Sequence, residues 1–107
     1  MKASSDGQNN QAGSKEMLIA TRYSIRGERT KEKIGALMSV FGERGEIAGT
    51  IAHYTALDGR GGLVIIETDD PGVLYQATLA YQEWLDLRST PIMTVEDAMP
   101  HILASLE

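Results

Sequence analysis

Apolar residues recur at every second position along residues 17–26 (MLIATRYSIR), with Met17, Ile19, Thr21, Tyr23 and Ile25 on one side and Leu18, Ala20, Arg22 and Ser24 on the other. A period of two is that of a strand, and the first face is the more apolar. The period then lengthens. Ile34, Leu37, Met38 and Phe41 stand at i, i+3, i+4 and i+7, one stripe of a helix predicted over residues 28–43, with Thr30 as its cap and Gly42 and Gly45 at its end. Residues 46–56 (EIAGTIAHYTA) and 61–68 (GGLVIIET) return to strand composition and are joined through Leu57-Asp58-Gly59-Arg60. Asp-Gly between two β-rich runs predicts a hairpin, because a tight turn needs positive φ. One side of that hairpin carries Ile51, His53, Thr55, Val64 and Ile66; the other carries Thr50, Ala52, Tyr54, Leu63, Ile65 and Glu67. These faces hold for a two-residue turn or a four-residue loop.

Asp70-Pro71 opens a second helix, with Asp70 as N-cap and Pro71 at the first helical position, where a missing N–H costs nothing. Leu74, Ala77, Thr78, Tyr81 and Leu85 make its inward stripe, widened by Val73, Ala80 and Trp84. Residues 87–94 (LRSTPIMT) read as a fourth strand, and Pro91 inside it argues for a sheet edge. Thr94 with Asp97 three residues on resembles a capping box for a short C-terminal helix, interrupted or restarted at Pro100. The order βαββαβ is that of a ferredoxin-like α+β domain: a four-stranded antiparallel sheet, two helices on one face, and a short C-terminal helix. The domain spans residues 16–107, after a tail over residues 1–15 built from Ser, Asp, Gly, Gln and Asn, whose ordering nothing would offset.

The hairpin face with Ile51, Val64 and Ile66 is the more uniformly apolar and is assigned to the helices. The remaining face mixes Tyr54, Leu63 and Ile65 with Arg22 and Glu67, too apolar for water and too polar for plain core. Such a face suits a ligand cavity or a sheet-on-sheet dimer interface. Chain length points the same way. At 107 residues one domain buries only about two-thirds of its unfolded surface, so self-association adds much to its stability.

The net charge of −5 with pI near 5.0 disfavours nucleic acid, which selects a basic balance or stripe. Arg22, Arg26, Arg29, Lys31 and Lys33 are interleaved with Glu28 and Glu32, the pattern of a solvated, ion-paired face. The absence of cysteine removes disulfides and thiol nucleophiles. No apolar run reaches membrane-spanning length and none marks a signal peptide, so the cytoplasm is the expected compartment and no membrane the expected partner.

His53 and Tyr54, as strand neighbours, point to opposite faces, so only one can line the open side. On the assignment above that one is Tyr54, and His53 packs beneath the helices as a hydrogen-bonded core histidine. Arg22 and Glu67 share the open face on strands that a ferredoxin-like order makes adjacent. Glu67 could then act as a proton acceptor, with Arg22 holding an anionic or carbonyl oxygen; a structural ion pair is the plainer alternative. The expected ligand-lining set is Arg22, Thr50, Tyr54 and Glu67, with Glu67 and Tyr54 as the catalytic candidates. Glu67, Asp69 and Asp70 alternate in direction and have no further oxygen ligands at regular spacing, so no metal site is expected.

The stretch from Met17 to about Val95, about three-quarters of the chain, resembles the dimeric α+β barrel superfamily, and within it a small uncharacterised bacterial family, through the runs MLIATRYSIR, LDGRGGLVIIETDDP, LYQATLAYQEWLDL and TPIM. The resemblance implies a homodimer that stacks two sheets, with a small, partly apolar molecule in the lumen between them and no cofactor. Activities in that superfamily include cofactor-independent monooxygenation, and a lumen of this kind would equally suit an isomerase. A structural or protein-interaction module with no ligand is the alternative from another class. Asp-Asp-Pro-Gly-Val-Leu also resembles the entry motif of amino-acid-sensing ACT domains, although there it follows the first strand and here the third.

Overall fold

The structure is a computed structural model that describes residues 16–107; the expected tail over residues 1–15 lies outside the described residues. The elements are β1 (Met17–Ile25), α1 (Lys31–Arg44), β2 (Thr50–Thr55), β3 (Gly61–Thr68), α2 (Gly72–Tyr81), β4 (Leu85–Ile92) and α3 (Val95–Ala104). The strands form one antiparallel sheet in the order β2-β3-β1-β4. This is the ferredoxin-like α+β arrangement, in which each helix crossover leaves room for one strand between the two it joins.

Helix α1 starts three residues later than its periodicity suggests. Thr30 Oγ1 accepts the Lys33 N–H at 3.1 Å, and the Lys33 ammonium reaches back to the Arg26 and Glu28 carbonyls, each at 2.6 Å. Those carbonyls are thereby held in the loop and cannot join the helix. In the hairpin, Leu57–Arg60 forms a four-residue loop: Ala56 N–H donates to Gly61 O at 2.8 Å and Gly59 N–H to Ala56 O at 3.0 Å. Gly59 takes φ 74°, the left-handed region that glycine enters without strain.

Strand β2 departs from strict alternation. Thr50 pairs with Ile66 while Ala52 pairs with Ile65, so Ile51 is the extra residue of a β-bulge. The bulge resets the period and moves Thr50 to the helix side of the sheet, where its hydroxyl donates to Ile47 O at 2.6 Å. Thr50 was expected beside Tyr54; periodicity cannot see an inserted residue.

Helix α2 ends at Tyr81, and Leu85 opens β4 opposite Ile25. The expected stripe ran on to Leu85 because that side chain is apolar and buried in either role. It reaches the same core from a strand. Strand β4 is an edge strand and carries Pro91 opposite Ile19. At α3, Thr94 Oγ1 accepts the Asp97 N–H at 3.0 Å. The helix continues through Pro100 instead of breaking there; Glu96, whose carbonyl loses its partner, is exposed, where water can replace the missing donor.

The core is small. Ile19, Val64, Ile66 and Leu74 form its cluster, with Tyr23 and Ile47 packed against it, and Ile66 is fully enclosed. These β1 and β3 positions all face the layer that holds α2, so the opposite side of the sheet is the open one.

Candidate functional site

On the open side the registers build a grid of side chains. One cross-strand row runs Tyr54, Leu63, Arg22, Arg88; the next runs Ala52, Ile65, Ala20, Thr90; a third places Glu67 beside Leu18 and Ile92. Leu18, Ala20, Leu63 and Ile65 on the two central strands are half-buried, whereas Tyr54, Arg22, Arg88 and Glu67 are exposed. A groove of about 400 Å³ crosses the first row, lined by Tyr54, Leu63, Arg22, Arg88, Arg60 and Asp86 among others.

Arg22 and Glu67 do not come together. Arg22 lies opposite Leu63 and Glu67 opposite Leu18, a stagger of four residues or roughly 13 Å along the strand. Adjacent strands were correctly expected, but the register decides which side chains meet. Of the four expected lining residues, Arg22 and Tyr54 share the groove, Glu67 stands two rows away, and Thr50 is on the other face.

The helix side holds an arrangement that sequence reasoning did not assemble. His53 Nδ1 lies 3.0 Å from Glu46 Oε1 and 3.2 Å from Oε2, and His53 Nε2 lies 2.7 Å from the Tyr23 hydroxyl. An ionised carboxylate only accepts, so Nδ1 carries the hydrogen, and in the neutral ring Nε2 accepts the Tyr23 O–H. Phe41 and Tyr23 both meet the imidazole edge-on, at 6.3 and 5.7 Å between ring centroids. Burial first, and then the Glu46 charge, push the Tyr23 phenol above its ordinary value, so it remains a donor at neutral pH. Tyr81 is raised by burial and by Glu46, with Arg44 opposing.

Glycine makes the relay reachable. Tyr23 pairs with Gly62 on β3, while His53 is on β2 beyond it. A Cβ on Gly62 would lie 2.7 Å from Tyr23 Cζ, so only a residue without one lets the phenol cross β3. The Gly61-Gly62 pair opening a strand was the available signal. Beneath α1 the relay borders a cavity of about 330 Å³, walled by Ile34, Leu37, Phe41, Val64 and Leu87. His53 was expected under the helices with a hydrogen-bond partner, and the structure has it there with two.

Asp70, Pro71 and Gly72, the residues behind the ACT resemblance, lead into α2: the cap is Pro71, one residue later than the expected Asp70, with no side-chain cap bond, and the Asp70 carboxylate accepts the Gly72 N–H at 2.9 Å. Among the described residues there is no cluster of three or more metal-ligating side chains, and no helix is long and apolar enough to cross a membrane.

Residues 17–106 match a family described as a domain of unknown function, DUF3303. No curated protein and no solved structure matches the chain.

Proposed function

The chain belongs to the DUF3303 family, and from that premise we propose that it is a homodimer of the dimeric α+β barrel kind, its two open sheet faces enclosing a small, partly apolar ligand. The observation that carries this reading is the apolar centre of the open face, where Leu18, Ala20, Leu63 and Ile65 stand side by side on β1 and β3. Helix α3 and the turn after it add to it: Val95, Met99, Ile102 and Leu103, with Leu106 beyond the helix, follow helical spacing and are all exposed. Apolar surface on this scale is stabilised by a covering partner. A second copy supplies both surfaces at once, and the groove at Tyr54 and Arg22 becomes the ligand's compartment.

Sedimentation velocity over a range of concentrations tests the dimer, and Leu63→Lys with Ile65→Lys is expected to give monomers. A wild-type chain that stays monomeric at high concentration defeats the reading. In thermal-shift screening with apolar acids, quinones and amino acids, one class is expected to stabilise the dimer, and less so after Tyr54→Phe.

A second reading is favoured by the Glu46–His53–Tyr23 relay and the cavity beside it. The Tyr23 oxygen can take a proton from a bound substrate as its own passes to His53, whose imidazolium Glu46 then stabilises. Return of a proton at a neighbouring substrate atom would complete an isomerisation that needs no oxidant and no cofactor.

A further inference from the structure

We infer that Arg22 and Arg88 form an anion-binding end to the sheet-face compartment, and that its ligand is a carboxylate with an apolar body. The inference rests on the open-face reading above and names the ligand class. Arg22 and Arg88 are direct cross-strand partners on β1 and β4. Like charges so placed repel, and Asp86, two residues from Arg88 on β4, pairs with Arg26 at 3.0 Å.

Asp58 and Asp86 also line the groove. Asp86 is held by Arg26, and Asp58 Oδ1 accepts the Arg60 N–H at 2.9 Å. Arg60 also lines the groove. Three arginines and two acids thus line one cleft, a net positive lining in a protein of net charge −5. A local cationic focus against the overall sign selects for an anion at that spot. Paired guanidinium forks suit a planar carboxylate, which can accept two hydrogen bonds from each.

What lies beside the pair sets the rest of the ligand. Leu63 is Arg22's partner on β3, and the neighbouring row is Ile65, Ala20 and Thr90, followed by Leu18 and Ile92. An anionic head at Arg22 and Arg88 would therefore lay an apolar body along the centre of the sheet. The groove's 400 Å³ falls in the range of small-molecule sites, roughly 300–1,000 Å³.

The test uses the full chain at low ionic strength, with decanoate below its micellar concentration and 2-naphthoate as probes and decanol and 2-naphthamide as uncharged counterparts. Calorimetric titration is expected to show the carboxylates binding at least about tenfold more tightly than the neutral probes, and Arg22→Gln or Arg88→Gln to weaken them by about tenfold each. Arg88→Lys, which keeps the charge and loses the fork, should fall between. Without ligand, the Arg22→Gln/Arg88→Gln variant is expected to melt no lower than wild type, since a repulsion is gone. Equal binding of charged and neutral probes, or unchanged carboxylate binding to the double variant, overturns the anion site while leaving the lumen intact. Equal stabilisation by inorganic phosphate overturns the apolar body. A dimer that binds no probe overturns the ligand assignment alone, whereas a monomer that binds none removes the compartment on which it rests.

Discussion

At the scale of single residues, the best-defined chemistry is the chain of hydrogen bonds through His53. Tyr23→Phe keeps the ring and deletes the hydroxyl, leaving Nε2 without its donor at 2.7 Å. The expected loss is about 1 kcal/mol in denaturant unfolding. The pH dependence has a definite sign. The phenol is pushed above its ordinary value of 10.0 in the folded chain, so the folded state favours the neutral form. Stability from this group is complete below pH 10.0 and is lost as pH rises through the folded value. Part of the late phenolate absorbance in an alkaline titration should vanish in the variant; loss of early, ordinary phenolate absorbance instead would mean that Tyr23 is not the half-buried phenol described here. His53 could be placed from sequence by alternation alone. Its partners could not, because Glu46 comes from the loop before β2 and Tyr23 reaches across β3 over a glycine.

At the scale of elements, capping and periodicity were legible and boundaries were not. Thr30 and Thr94 cap α1 and α3 as their spacing predicts, since a cap depends only on residues three apart. The α2 terminus escaped the pattern because an apolar residue facing the core looks the same on a helix and on a strand, and the β2 bulge because periodicity does not see an inserted residue. Helix α3 is the element most dependent on its surroundings. A helix of this length is marginal alone, and its apolar residues find no cover within the described chain. Thr94→Ala removes the acceptor for the Asp97 N–H and should cost α3 about 1 kcal/mol. Hydrogen exchange should show the loss in the amides of residues 97–104 and not in α1; unchanged protection there would show that the cap contributes nothing.

At the scale of the whole molecule, the balance of buried and exposed apolar surface dominates. The buried apolar side chains are Ile19, Val64, Ile66, Leu74, Ala77 and Leu85, while large apolar side chains from Ile92 to Leu106 lie open. The shortest dimension is 18 Å, the depth of one sheet and one layer of helices. The radius of gyration is 16.7 Å, against about 12 Å for a compact chain of ~90 residues. Both figures describe a layer that has not closed on itself. If a second copy closes it, folding and association are linked, and the melting temperature must rise with protein concentration. A melting temperature independent of concentration over two decades would leave the thin core as the whole basis of stability.

The amino-acid pattern by itself determined the element order, the ferredoxin-like class, the Thr30 and Thr94 caps, the hairpin at Asp58-Gly59, the edge position of β4 and the side on which His53 and Tyr54 lie. Each of these follows from residues close along the chain, where propensity and period act directly. Only the tertiary structure decided that Arg22 meets Arg88 and not Glu67, that Thr50 changes face, and that Glu46, His53 and Tyr23 join. Those are questions of register between strands. A shift of one residue in pairing, or one bulge, leaves the local hydrophobic pattern intact and exchanges every partner across the sheet.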